Sequence, residues 1–313
     1  MTSAQIHRPF AGNVTLIRRR EAAGLRFRWL PSRHGKIALI ETESDGPAVL
    51  LIHGNSSCKE AFLHQMAGPL GHRYRLIAFD LPGHGRSDDA PSPARSYTMT
   101  GYADLAVELM AALGLERPVL LGWSLGGHIG LELLGRGTAL AGLMIVGTPP
   151  VGRGENAAAE GFQPGPEIDY AGRESLSEAE AAAYAPLLYG RGTAIPAFHQ
   201  AAIRCTDGRA RRIMVEAFLA GQGHDQRRAA AHSPVPLAVV SGSAEPFVDN
   251  AYLEGLTYRN LWDGRVHIFD GLGHAPFFEA PERFDPLLGR FLGDVYGEMC
   301  EAEATNLGSR LSR

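Results

Sequence analysis

The feature that most restricts this chain is a series of short, nearly continuous apolar runs separated by helical patterns. The runs fall at 48–52, 75–79, 118–121 and 143–146. Runs of that length and continuity suit strands buried on both faces of a parallel sheet. Between them, residues 59–70, 98–115 and 125–134 carry helical periodicity, so the order is βαβα. The fold class is therefore α/β, with a doubly wound, mostly parallel sheet. Residues 25–41 alternate in part, with Arg26, Phe27, Arg28 and Trp29 followed by Ile37 and Leu39. That pattern predicts an antiparallel edge hairpin broken near residues 32–35.

After Gly147-Thr148-Pro149-Pro150 the pattern changes. Residues 151–232 are rich in Ala, Glu, Arg and Gly, with helix-prone stretches at 178–188 and 209–219 and no strand run. Strand character returns at 235–240 and 266–269, and 281–296 predicts a last amphipathic helix. In a chain of 313 residues, one core with an insertion accommodates all of this. The expected organisation is an extension over 1–24, a core from 25–150 and 233–298, a helical cap over 151–232 and a disordered tail over 299–313.

Charge removes several function classes. With 30 basic against 34 acidic residues, nothing global draws the chain to nucleic acid or an anionic membrane, and a small-molecule partner is expected. Oligomeric state is not legible. Cys58, Cys205 and Cys300 are far apart with no CxxC spacing, which argues against a zinc ribbon, a redox dithiol or a disulfide framework. No stretch approaches the ~18 apolar residues of a membrane span, and the start lacks an apolar signal core, so a cytoplasmic location is expected. There is no HExxH and no GxGxxG after the first strand run, so neither a metal nor a dinucleotide cofactor is expected.

The sharpest motif is Gly122-Trp123-Ser124-Leu125-Gly126-Gly127, a GxSxG between a buried strand and a helix. An abrupt strand-to-helix turn strains its apex residue, and side chains two before and two after it would collide. Glycine at both positions removes the clash and lets the Ser124 hydroxyl project near a helix N-terminus, where amides favour developing negative charge.

A serine needs a base, and in this arrangement the order is Ser, acid, His. His274, in Gly271-Leu272-Gly273-His274, follows the last strand run and is the candidate base. After the strand at 235–240, both Glu245 and Asp249 are candidate acids; position favours Glu245. An oxyanion hole requires two backbone donors, assigned to Leu125 N–H and, after His53-Gly54, to Asn55 N–H, with Gly54 permitting the turn. His53 is read as a brace for that loop, and Asp80 and His84 as supporting residues in a loop punctuated by Gly and Pro.

These residues resemble the α/β-hydrolase-fold serine hydrolases and, within them, the N-acyl-homoserine lactonases that degrade bacterial quorum-sensing signals. The narrower likeness rests on 53–57 (HGNSS), 95–97 (RSY), 122–130 (GWSLGGHIG), 147–151 (GTPPV), 206–214 (TDGRARRIM), 245–248 (EPFV) and 260–262 (NLW). It extends from about residue 25 to 292 and includes the cap. The resemblance implies a Ser124, His274, Glu245 triad, and it implies that Asn55 and Tyr184 of the cap contact the lactone. A carboxylesterase on the same triad, and a lactone-binding sensor with little turnover, are the alternatives.

Overall fold

The computed structural model describes residues 24–311 apart from 155, 156, 158 and 191. Eight strands form one sheet in the order β1-β2-β4-β3-β5-β6-β7-β8. Strands β1 (Leu25–Ser32) and β2 (Gly35–Thr42) make the antiparallel hairpin, and β2 runs antiparallel to β4 (Arg75–Phe79). From β4 through β3 (Ala48–Ile52), β5 (Val119–Trp123), β6 (Gly142–Val146), β7 (Leu237–Gly242) and β8 (His267–Phe269), every pairing is parallel. All residues of β5 and β6 are buried, as expected of strands covered on both faces. The hairpin is only half an edge. β1 exposes Trp29, whereas β2 is buried from Ile37 to Thr42 because β4 covers its other side.

Helices lie between the strands. α1 (Met99–Ala112) starts where the Thr98 hydroxyl accepts the Gly101 N–H at 3.0 Å, and α2 (Leu125–Gly135) starts immediately after Ser124. The single helix expected over 59–70 is instead three short turns, Lys59–Phe62, Leu63–Ala67 and Pro69–Arg73. Gly68 is extended (φ −88°, ψ −174°), the conformation that a following proline imposes.

Between β6 and β7 the chain adds no strand to the sheet and forms the helical cap. α3 (Glu178–Leu188) opens on a capping box in which the Ser177 hydroxyl and the Glu180 carboxylate satisfy each other's backbone N–H. α4 (Ala197–Cys205), α5 (Gly208–Leu219) and α6 (Gln226–His232) follow. The last helix, α7 (Pro281–Leu311), continues through 299–311, where the sequence predicts a disordered tail. Glu301, Ala302, Glu303 and Ala304 are strong helix formers and extend the preceding turns. Residues 1–23 of the expected extension lie outside the described residues.

A buried ion pair fixes the sheet end that carries the site. Asp80, just past β4, accepts the Lys59 N–H (2.8 Å), the Lys59 Nζ (2.6 Å) and the Arg86 N–H (2.8 Å), with Lys59 and Asp80 almost wholly buried. The loops after β3 and β4 are thereby tied together. Asp80→Ala leaves the Lys59 ammonium with only Glu60, 3.1 Å away, and strips the Lys59 and Arg86 N–H groups of their acceptor, so it is expected to cost about 3–5 kcal/mol. Urea denaturation measures this, and a loss below about 1 kcal/mol would refute the role given to the pair.

Candidate active site

β5 ends at Trp123 and α2 begins at Leu125, leaving one residue to reverse the chain. That residue, Ser124, sits at φ 52° and ψ −116°, a strained conformation for a side-chain-bearing residue that costs of order 1–3 kcal/mol. Neighbouring bonds hold it there. Its N–H donates to Val146 O (2.8 Å), and its carbonyl accepts the Gly127 N–H, the His128 N–H and the Thr148 hydroxyl at 2.9, 3.1 and 3.0 Å. A Cβ on Gly122 would lie 2.2 Å from Gly126 O, and one on Gly126 would lie 2.0 Å from Ile52 O. The two glycines of the motif are thus required by close approach, one within the turn and one against β3.

His274 follows β8, and its Nδ1 lies 2.9 and 2.8 Å from the two carboxylate oxygens of Glu245. Both side chains are buried. Glu245 Oε1 also accepts the Phe247 N–H (2.9 Å). A carboxylate on Nδ1 keeps the proton there and leaves Nε2 as an acceptor. Asp249 is elsewhere: it caps the helix Asn250–Gly255, its carboxylate accepting the Ala251 N–H at 2.9 Å. Of the two candidate acids, Glu245 is the one that meets His274.

The loop after β3 differs in one respect from the sequence expectation. Its left-handed residue is Ser56 (φ 57°), not Gly54. Gly54 is needed for proximity instead, because a Cβ there would approach Ser124 Cβ and the Trp123 ring to 3.2 Å. The Asn55 side chain is engaged, with Nδ2 donating to Ala171 O in the cap (2.8 Å) and Oδ1 accepting the Ser56 hydroxyl (3.3 Å). Its backbone N–H, like that of Leu125, has no acceptor among the described residues. Leu125 is the first residue of α2, where a helix leaves its N–H unpaired.

His53 braces this loop. Its Nδ1 faces Gly54 O at 2.7 Å, and its Nε2 accepts the Leu81 N–H at 3.0 Å. Accepting the Leu81 N–H needs the neutral ring, and burial pushes its pKa down to about 4. His84, with Nδ1 3.1 Å from Pro82 O, is pushed down to about 3, again by burial.

One cavity of about 770 Å³ gathers Ser124, His274, Asn55, Leu125 and Tyr184. Phe162, Leu188, Met214 and Phe218 form its apolar wall. Tyr184 is buried on α3, no described residue bonds its hydroxyl, and burial raises its pKa.

Three supporting residues carry no recognisable signal in the sequence. The Trp123 indole N–H donates to His274 O (2.9 Å). The Glu279 carboxylate accepts the N–H groups of Gly273 (2.7 Å) and Ala275 (2.9 Å) on either side of His274. From the cap, the Gln163 amide donates to Glu245 O (3.0 Å) and Val248 O (2.9 Å), while its backbone N–H donates to Phe247 O (2.7 Å). Each acts across a long stretch of chain, so only the fold reveals it.

A mostly parallel sheet with a strained serine after its central strand and a carboxylate-held histidine beyond its last strand defines an α/β hydrolase. The alpha/beta hydrolase family profile matches residues 49–286, and the chain belongs to that family. Among solved structures, it is similar to the N-acyl homoserine lactonase AidH complexed with N-butanoyl homoserine (46% identity, TM-score 0.83, covering 86% of this chain and 97% of that one). A serine-to-glycine variant of AidH complexed with N-hexanoyl homoserine lactone matches equally, at 46% identity and a TM-score of 0.83, covering 86% of this chain and 98% of that one. A pimeloyl-[acyl-carrier protein] methyl ester esterase from Aromatoleum aromaticum is 30% identical over 243 residues, 68% of this chain and 85% of the esterase. No described helix is long and apolar enough to cross a membrane.

The buried neutral histidines set a pH dependence. His53, His84 and His128 have pKa values lowered from 6.5 to about 4, 3 and 4. The unfolded chain therefore binds protons below pH 6.5 that the folded chain refuses, and stability falls as the pH drops from there towards 4. Each histidine contributes up to ~1.4 kcal/mol per pH unit over that window. Thermal melts should show Tm falling steadily below pH 6.5; a flat profile from pH 7 to 5 would contradict this.

Proposed function

We propose that this protein opens the lactone ring of N-acyl homoserine lactones, an activity that would degrade bacterial quorum-sensing signals. The observation that carries the reading is the single apolar-walled cavity that joins Ser124, the Glu245-held His274, Asn55 and Tyr184. The 46% identity to a homoserine lactonase over most of both chains supports it. In this reading residues 151–232 form the cap over a catalytic core of 25–150 and 233–298, and the enzyme works in the cytoplasm on an uncharged small molecule.

His274, oriented by Glu245, takes the Ser124 proton as Oγ attacks the lactone carbonyl. The Asn55 and Leu125 N–H groups stabilise the alkoxide that forms. Collapse breaks the ring C–O bond, His274 protonates the ring oxygen, and an acyl-enzyme with a free hydroxyl at its far end results. Water, deprotonated by His274, then releases the hydroxy acid. The leaving hydroxyl remains tethered and has a high effective molarity for re-closure. Tyr184, with its hydroxyl unbonded in the cavity, is placed to hold that hydroxyl away from the ester.

A carboxylesterase is the second reading, favoured by the likeness to the methyl ester esterase. Mass spectrometry of an N-acyl homoserine lactone, against a buffer blank, separates the two. Gain of one water above the blank is expected. No change above the blank, with simple esters still cleaved, would sink the lactonase reading. Ser124→Ala should lower turnover at least ~1000-fold while leaving the far-UV spectrum unchanged. Glu245→Gln should lower it by about 10³–10⁴, as loss of the orienting carboxylate does in serine hydrolases. Asp249→Asn retains a good helix cap and should stay within about twofold of wild type. The reverse ranking of the last two would overturn the assignment of the acid.

A further inference from the structure

His128 has no role in the chemistry above, yet it lines the same cavity. It is the fourth residue of α2, so its side chain leans back towards the helix start, one turn from Ser124. The ring packs against Phe162 and Phe218, with centroids 5.9 and 4.9 Å away, and the residue is almost wholly buried. Its Nδ1 is 2.8 Å from Gln226 Oε1 on α6. An amide oxygen at that nitrogen fixes the tautomer: Nδ1 carries the proton and Nε2 keeps its lone pair. Nε2 has no bonding partner among the described residues and, unlike the sealed polar atoms elsewhere, retains access to the cavity.

Resting on the lactonase reading, we propose that His128 Nε2 is the acceptor for the amide N–H of the substrate and so selects N-acylated lactones over lactones lacking that donor. The chemistry asks for such a group. An amide drawn into an apolar cavity loses its water, and an unpaired N–H there is costly. In an N-acyl homoserine lactone the amide nitrogen is attached to the carbon next to the attacked carbonyl. It therefore lies within about one helical turn of Ser124, the separation at which α2 presents His128. Burial holds the His128 pKa down to about 4, so the acceptor persists throughout the neutral range.

The test compares ring opening of an N-acyl homoserine lactone with that of its ketomethylene isostere, in which CH2 replaces the N–H, at equal chain length. Wild type should prefer the amide in kcat/KM by about tenfold or more, the discrimination of a site built around one buried hydrogen bond. His128→Phe should bring the ratio to within about twofold while still opening the isostere, and His128→Gln, which restores an acceptor of similar reach, should recover much of the preference. Should His128→Phe not fold, as judged by its thermal melt, His128→Leu, which also lacks an acceptor, replaces it with the same expected loss of preference. A wild type that opens both lactones equally well, or a ratio unchanged in His128→Phe, overturns the proposal alone. Failure of wild type to open either lactone overturns the lactonase reading and this proposal with it.

Discussion

The site depends on how closely the start of α2 approaches the end of β3. Gly126 lies against the Ile52 carbonyl at a distance that excludes even a methyl group, and Gly54 lies against Ser124 and Trp123 with little more room. That approach brings the Ser124 hydroxyl and the Leu125 N–H near the distant Asn55 N–H, neither N–H having an acceptor among the described residues. The strain at Ser124 is sustained because backbone bonds from Val146, Gly127 and His128 leave it no relaxed alternative. In the proposed mechanism, the donors for a developing oxyanion are thus set by packing before any substrate arrives.

Where burial alone determined structure, the sequence was an accurate guide. The runs at 48–52 and 75–79 are β3 and β4 to the residue, because strands covered on both faces must be apolar throughout. Where local conformation competed with pattern, it was less so. The periodicity over 59–70 runs straight across Gly68-Pro69, and the backbone breaks there regardless. α4 and α6 were not read at all, being short cap helices whose faces are set by what they cover.

At the candidate site, chain order and motif context singled out Ser124, His274 and Glu245; Ser124 and His274 line one cavity, and the hydrogen bonds of Glu245 and Asp249 separate two carboxylates that sequence left as rivals. The assignment of Gly54 had the right residue and the wrong reason: its value is clearance, and the unusual backbone angle falls on Ser56. Glu279, Trp123 and Gln163 were invisible because each acts by meeting a backbone group that only the folded chain brings near.

The bonds from Gln163 to the Glu245 loop bear on how such a protein can be re-engineered. Exchanging caps between hydrolases is an obvious way to alter substrate range, on the premise that a cap is a module laid over a finished catalytic core. Here Phe162 of the cap makes an isolated antiparallel bridge to Val248, and Gln163 holds the carbonyls of Glu245, Phe247 and Val248. A transplanted cap would bring its own acid-loop geometry with it. A chimera should therefore exchange 161–163 and 245–249 as one unit.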